Sequence, residues 1–396
     1  MEQDNETLIQ FGGSKRISVA DDVRIKAKRV NDDWGTFDQE QGFHLYDVPN
    51  DFRTEAKVQN YKLSLKEEKQ QKLILESKPY HIDIEPTNIC NLKCPLCSTG
   101  IDAKTRKKGT LTFEKFKHLI DESKDTILQL SLQNWGEPTL VTDLPKMIRY
   151  AVDSGVFVRL STNLSIKYPV GYLEQFIKSG LGRLIVDIDG TTQNVYEKYR
   201  RNGNLNTVLK NLDDAIKIKK QNKLQYPIIQ ARMLVMKHNE HQIDEFKELV
   251  RKLRVDEIEL GNIQLNPNTA SKDWLPKNDE FVYETYMGER RKTPCHWPWS
   301  GMVISWDGGV APCSIVDDEN SDFGNVFEND IMSIWNNEYY VSARSEFTKT
   351  KEMSKFTICN MCKNDTHNPN LFRVGDSFSL TLNRSCLLYT SDAADE

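Results

Sequence analysis

From Tyr80 onward the chain repeats one pattern. Tyr80–Glu85 (YHIDIE) alternates polar and apolar side chains, the period of a strand. Phe113–Ser123 sets Phe113, Phe116, Leu119 and Ile120 at helical spacing, with Thr112 placed as N-cap. The alternation then continues through strand Ile127–Gln133, helix Leu144–Ser154 closed by Gly155, and strand Val156–Leu160. Helix Tyr172–Ser179, strand Leu184–Ile188, helix Leu205–Ile218 and strand Ile228–Val235 follow. Helix Ile243–Leu253 and strand Glu257–Gly261 end the series. Six strands alternating with helices predict an α/β fold with a parallel sheet, curled into a full or partial barrel or left open. Either form places the active site at the carboxyl ends of the strands.

Outside this series the pattern changes. Residues 1–78 are polar, and only Thr54–Ser77, rich in Lys, Glu, Gln and Leu, reads as a helix. Asn266–Asn278 is a Pro- and Asn-rich connection. Residues 295–366 are rich in Cys, Trp, Asn and Gly. There, Met302–Trp306 and Val310–Pro312 flank Asp307-Gly308-Gly309, a hairpin turn signal, and Ile331–Asn336 and Glu338–Phe347 are short helical patterns. The expected organisation is an N-terminal extension (1–78), a core (79–266), a connection (267–294), a smaller Cys-rich domain (295–366) and a tail (367–385). Residues 386–396 look like a translated sequencing-library adaptor, so Cys386 is left out of the chemistry.

Composition narrows the function. The chain has 396 residues, enough to bury a full core without disulfides. Its net charge of −5 argues against nucleic-acid binding driven by global charge. No apolar run is long enough to span a membrane, and Met1–Gly12 lacks a signal-peptide core, so the cytoplasm is expected. Disulfides are rare there. The eight cysteines therefore point to metal binding.

Three of them, Cys90, Cys94 and Cys97, form C-x3-C-x2-C in the loop after the first strand of the series. A structural zinc site wants four ligands, and no fourth lies nearby. Three thiolates on a four-iron cubane leave one iron free to chelate a substrate or cofactor. In spacing and position this segment resembles the radical S-adenosylmethionine (SAM) superfamily. The resemblance implies a [4Fe–4S] cluster on Cys90, Cys94 and Cys97, with SAM on the open iron. Trp135-Gly136-Glu137-Pro138 resembles the family's Gly-Gly-Glu-Pro segment, with Gly136, Glu137 and Pro138 expected at the cofactor's amino group. Ser161-Thr162-Asn163 resembles its Ser-Thr-Asn-Gly, with Leu164 in place of the glycine. Asp187-Ile188-Asp189-Gly190 and the following Tyr199-Arg200 resemble the segment that binds ribose and carboxylate, Asp187 standing where a serine is usual. The implied SAM contacts are thus Gly136, Glu137, Pro138, Ser161, Asn163, Asp187 and Arg200.

Cys295, Cys313, Cys359 and Cys362 can close a four-thiolate site, as zinc or as a four-iron cluster. Cys295-His296-Trp297-Pro298-Trp299, Trp306–Cys313 and the final C-x2-C resemble the SPASM/twitch auxiliary domain of radical SAM enzymes. The resemblance implies one auxiliary [4Fe–4S] cluster with an electron-transfer role, and a partial (β/α)6 barrel for the core. The expected function is reductive cleavage of SAM to a 5′-deoxyadenosyl radical that abstracts hydrogen from a sugar or aminocyclitol alcohol or from a ribosomal peptide. The expected partners are that small-molecule or peptide substrate and a reductant such as flavodoxin or ferredoxin, with no membrane or nucleic acid. The competing expectation is a non-enzymatic zinc protein that binds a partner.

Overall fold

The computed structural model describes residues 8–11, 14–18, 48–103, 105–265, 272–282, 295–348 and 354–361. Cys362, the tail 367–385 and the adaptor-like segment 386–396 lie outside the described residues.

A hairpin of β1 (Leu8–Phe11) and β2 (Ser14–Ser18) precedes α1 (Glu55–Lys69). The repeating units then run β3 (His81–Ile84), α2 (Phe113–Ser123), β4 (Gln129–Leu132), α3 (Leu144–Asp153), β5 (Phe157–Thr162), α4 (Tyr172–Ile177) and β6 (Arg183–Asp187). They continue as α5 (Gln193–Tyr199), α6 (Leu205–Gln221), β7 (Ile228–Val235), α7 (Ile243–Leu253) and β8 (Glu257–Asn262). The Cys-rich part contributes α8 (Trp297–Ser300), β9 (Gly301–Ile304), β10 (Val310–Ala311), α9 (Ile331–Trp335), α10 (Glu338–Glu346) and α11 (Ile358–Met361). Every strand and helix expected between Tyr80 and Gly261 is present. The helix α5 is additional, being short and polar in sequence.

All the strands belong to one open sheet, in the order β1-β2-β8-β7-β6-β5-β4-β3-β9-β10. β3 to β8 are parallel neighbours, so the βα series forms an unclosed, partial barrel. Two further pairings extend the sheet at its edges. β2 pairs antiparallel with β8, which brings part of the N-terminal extension to one edge. β9 pairs in parallel with β3, so the Cys-rich hairpin adds to the other edge of the sheet.

The alternation within strands decides what each face does. Ile82, Leu130, Val158, Leu184, Ala231 and Ile258 lie on the apolar face and pack under helix residues such as Phe116, Ile148, Phe176, Leu212 and Phe246. The opposite face is polar: Asp83 pairs in register with Ser131 and Ser131 with Arg159, while Asp187 pairs with Arg232 and Arg232 with Glu259. The same apolar core continues into Met302, Trp335 and Tyr340 of the Cys-rich part.

The helix expected over Thr54–Ser77 ends early. Thr54 caps it, accepting from the Lys57 amide, but Gln71 takes φ +56° and the chain leaves as an irregular strap. The strap is tied to the Cys-rich part: Asn336 exchanges two side-chain hydrogen bonds with the Leu75 backbone, and the Trp335 indole donates to the Ser77 carbonyl at 3.0 Å. Arg344, fully buried, donates to the carbonyls of Leu73 (2.8 Å), Pro298 (2.8 Å) and Trp335 (2.7 Å), and its guanidinium lies over the Trp335 ring. One planar fork thereby satisfies three carbonyls from three segments, a geometry that lysine cannot match.

Arg344→Lys is expected to leave two of those carbonyls unsatisfied and to destabilise the protein by about 2–4 kcal/mol. Urea denaturation followed by circular dichroism measures this; a midpoint equal to that of the unaltered chain would show that Arg344 is not the strut described.

Candidate active site at the carboxyl end of the sheet

The loop after β3 carries the C-x3-C-x2-C segment and is held from behind by a second stretch of chain. The Thr87 hydroxyl donates to the Gly109 carbonyl (2.7 Å), Asn88 Nδ2 to the Lys107 carbonyl (2.8 Å), and the Gly109 amide to Asn88 Oδ1 (2.9 Å). Cys94 is buried, and Cys90 and Cys97 are half-buried. Cys90 Sγ accepts from the Leu92 amide at 3.4 Å and from Asn163 Nδ2 at 3.9 Å. Burial pushes the Cys90 thiol up to about 11 and Cys94 up to about 12, with Arg200 opposing in both. Bare, these thiols hold their protons; a metal must displace them to bind.

The three cysteines line a cavity of about 360 Å³. Its other walls are the strand ends, as the parallel topology demands. Each motif residue named from the sequence lies at or beside it, and each does something definite.

Gly136 backs onto the cysteine loop: a Cβ there would sit 1.8 Å from the Thr87 carbonyl oxygen. The next amide, of Glu137, donates to the Ile89 carbonyl at 2.9 Å. The Glu137 carboxylate is buried and engaged by the protein itself. It accepts from the hydroxyls of Thr139 (2.5 Å) and Thr162 (2.6 Å) and from the amides of Thr139 (3.1 Å) and Asn163 (2.8 Å). Burial raises this carboxyl above its usual range, against those hydrogen bonds. Pro138 opens a short 3-10 turn that Glu137 caps. Asn163 donates to Asn91 Oδ1 (3.0 Å), so the end of β5 grips the cysteine loop.

At the ends of β6 and β7 lies a group of four charges. Asp187 accepts from Arg232 Nε (2.7 Å) and from the Ser161 hydroxyl (3.1 Å), and Arg200 Nη2 lies 3.3 Å away. Asp189, fully buried, accepts from Arg200 Nε (2.5 Å) and the Leu234 amide (2.7 Å). Burial pushes the Asp187 carboxyl up, but Arg232 and Arg200 outweigh it and hold it below the usual carboxylate range. For Asp189 burial prevails and its carboxyl rises, despite Arg200. Ser161 also accepts from Arg232 Nη2 at 2.8 Å.

Arg232 is the residue that sequence reasoning missed. Its signal was present: in Ile228–Val235 the alternation sets Gln230 and Arg232 opposite Ile229, Ala231 and Met233. A cation on the interior face of a barrel strand asks for a partner. Ile315 and Asp317, just after Cys313, also line the cavity, so the Cys-rich part supplies one wall.

Of the second cysteine set, Cys295 and Cys359 are buried and Cys313 is half-buried. Burial raises the Tyr340 phenol well above its usual value; Arg344 opposes this, and the charges of Cys359 and Cys313 add to it. Among the described residues no three His, Cys, Asp or Glu side chains converge on a single ion's position. A four-iron cluster makes a different demand, since each of its thiolates binds a separate iron. Three soft donors spaced round a cavity, with no fourth, fit such a cluster with one open iron.

Comparison with known proteins agrees. Residues 84–250 match the family model of the radical SAM superfamily, and residues 295–363 match SPASM, an iron–sulfur cluster-binding domain. A PqqA peptide cyclase of Bradyrhizobium diazoefficiens is 25% identical over 286 residues, covering 65% of this chain and 73% of the relative. An AdoMet-dependent heme synthase of Methanosarcina barkeri is 31% identical over 128 residues, and a 7,8-dihydro-6-hydroxymethylpterin dimethyltransferase of Methanocaldococcus jannaschii 32% over 117. Those two alignments span 32% and 29% of this chain and only 36% and 23% of the relatives. In fold, the chain is similar to Streptococcus suis SuiB bound to S-adenosylmethionine, with a TM-score of 0.56 at 16% identity, covering 81% of this chain and 82% of that one. Thiol spacing, strand-end placement and both family matches converge: the chain belongs to the radical SAM superfamily and carries a C-terminal SPASM iron–sulfur domain.

Proposed function

We propose that the chain is a radical SAM enzyme acting on a peptide. The observation that carries this reading is the open three-thiol loop facing a cavity at the strand ends. Cys90, Cys94 and Cys97 would hold the [4Fe–4S] cluster. When bound, the reduced cluster would supply one electron to the sulfonium of SAM, whose C5′–S bond breaks to give methionine and a 5′-deoxyadenosyl radical for hydrogen abstraction.

The chain's own residues bind and orient. Asp187, Ser161 and Arg200 present charged and hydroxyl groups to the cavity, where ribose hydroxyls and a carboxylate can be recognised. Arg232 fixes Asp187 and Ser161 and holds that constellation rigid. Glu137, engaged by Thr139, Thr162 and Asn163, acts by positioning the Trp135–Pro138 turn against the cysteine loop. Leu92, Leu96 and Leu265 supply apolar wall that limits water in the cavity.

Cys295, Cys313, Cys359 and Cys362 would hold one auxiliary [4Fe–4S] cluster, closed by four thiolates and suited to moving an electron rather than binding substrate. A peptide is favoured over a sugar alcohol by the extent of the likeness to the PqqA peptide cyclase. The fold likeness to SuiB bound to its precursor peptide SuiA agrees with it. In this reading the reductant is a separate carrier protein, and the enzyme works in the cytoplasm.

Protein purified without oxygen should be brown and hold about eight irons per chain. A colourless preparation with stoichiometric zinc would instead support the structural zinc protein. Cys94→Ala is expected to abolish 5′-deoxyadenosine formation from SAM, assayed by chromatography; retained product would refute the assignment. Cys359→Ala is expected to halve the iron, to about four per chain, while the first cluster's electron paramagnetic resonance signal stays. Loss of that signal alone would contradict the division into two clusters.

A further inference from the structure

Most polar side chains that line the cavity are already committed within the protein. Glu137, Ser161, Asn163, Asp187, Arg200 and Arg232 direct their hydrogen bonds to one another or to the chain around them. Two carboxamides on the same walls differ: Gln133, just after β4, and Asn262, at the end of β8. Their amide oxygens are buried, and among the described residues no protein group donates to either. A buried acceptor without a donor costs free energy, which an N–H on a bound molecule would recover.

Strand alternation separates the two. Leu130 and Leu132 pack in the apolar core, so Gln129, Ser131 and Gln133 turn the other way, into the curve of the sheet. Asn262 goes by the same rule with Ile258 and Leu260 of the apolar face, which leaves Gln133 as the carboxamide aimed inward. The chain beyond Gln133 is braced. The Trp135 amide donates to Glu85 Oε2 (3.1 Å) and the Glu137 amide to the Ile89 carbonyl (2.9 Å). The Trp135 indole donates to the Val316 carbonyl (3.3 Å), which brings Ile315 and Asp317 to this side of the cavity. The groups suited to ribose and carboxylate, Ser161, Asp187 and Arg200, stand instead at the ends of β5, β6 and α5. Gln133 is therefore a neutral, fixed donor and acceptor on the side where the motif turn meets the Cys-rich wall.

We propose that Gln133 is a specificity-determining residue that holds one extended residue of the substrate by its backbone. In an extended residue the N–H and C=O point the same way, as in a hydrogen-bonded pair of a sheet. Gln133 Oε1 accepts from that N–H and its Nε2 donates to that C=O, a two-point match that a lone hydroxyl does not offer. An amide attached to a sugar does not offer it either, because its own N–H and C=O point in opposite directions. The proposal rests on the peptide reading above and adds to it the group by which the peptide is recognised.

The test uses the full chain with clusters in place and SAM bound, and three probes. N-acetyl-L-alanine N-methylamide carries one residue's N–H and C=O. In O-acetyl-L-lactic acid N-methylamide an ester oxygen replaces that N–H. N-acetylglucosamine is the amide on a sugar. Affinity is read by saturation-transfer nuclear magnetic resonance. The unaltered protein is expected to bind the alanine probe about tenfold more tightly than the ester, because the ester leaves Oε1 unpaired. Gln133→Met, close in shape but without the amide, should weaken the alanine probe about tenfold and remove its advantage over the ester. SAM affinity and iron content should stay unchanged in that variant. Equal binding of alanine and ester probes by the unaltered protein, a comparison that needs no variant, would overturn the proposal. So would absence of binding by the alanine probe, N-acetylglucosamine binding as tightly as it, or a loss of SAM affinity in Gln133→Met. An unaltered chain that holds neither iron nor SAM would overturn the underlying reading instead.

Discussion

Charge on the inner face of the sheet constrains the rest of the structure. A strand's side chains alternate, so burying Ile82, Leu130, Val158, Leu184 and Ala231 under the helices sends Asp83, Ser131, Arg159, Arg183 and Arg232 to the other face. Buried charges are tolerated only when paired. The pairing of Asp187 with Arg232 and of Asp189 with Arg200 therefore fixes how β6, β7 and the end of α5 meet. Because the four charges sum to zero, the ends of the strands can stay polar without water filling the interior. The cavity is set where this network reaches the cysteine loop.

A second set of contacts couples the two halves. Arg106, on the loop that follows Cys97, forks to Asp307 (2.6 and 2.8 Å) and Asp322 (2.8 and 2.6 Å) of the Cys-rich part. Burial works against the Asp322 charge and pushes its carboxyl up to about 6, although Arg106 opposes that. Gly309 makes the approach possible, since a Cβ there would lie 2.0 Å from Asp322 Oδ2. The Trp306 indole donates to the Lys107 carbonyl at 3.1 Å, and its ring fills the space beside Gly109. The same stretch, 107–109, braces Thr87 and Asn88 ahead of Cys90. Hence the first cysteine loop and the hairpin before Cys313 share one brace, and neither can shift far without the other.

How much of this was legible follows from what each signal measures. Periodicity reports burial, so the βα series from Tyr80 to Gly261 was readable, and β7 and α7 fall where their patterns placed them. Cysteine spacing and strand-end position marked the cavity. Three features were missed, two of them because they depend on a partner distant in sequence. The pairing of β9 with β3 joins residues more than two hundred positions apart. The strap after α1 is non-helical because Asn336, Trp335 and Arg344 hold it, whereas its composition favours helix. Arg232 carries no motif; only the alternation of its strand places it inside.

The two departures from the family's glycine pattern are accommodated in different ways. Leu164 stands where that pattern has glycine, and its backbone takes φ +50°, the left-handed region that favours glycine. Its side chain is fully buried in the core, and its amide donates to the Thr162 hydroxyl, so packing offsets the strain. Trp135 stands where the family's pattern has its first glycine. Its amide donates to Glu85 Oε2 (3.1 Å) and its indole to the Val316 carbonyl (3.3 Å). Gly136 beside it has no such freedom, because Thr87 closes on it. A glycine at 135 could not reach Val316, which lies between the two cavity residues Ile315 and Asp317. The substitution thus lets the motif turn hold the Cys-rich wall directly, and it makes this side of the cavity a joint property of both halves of the chain.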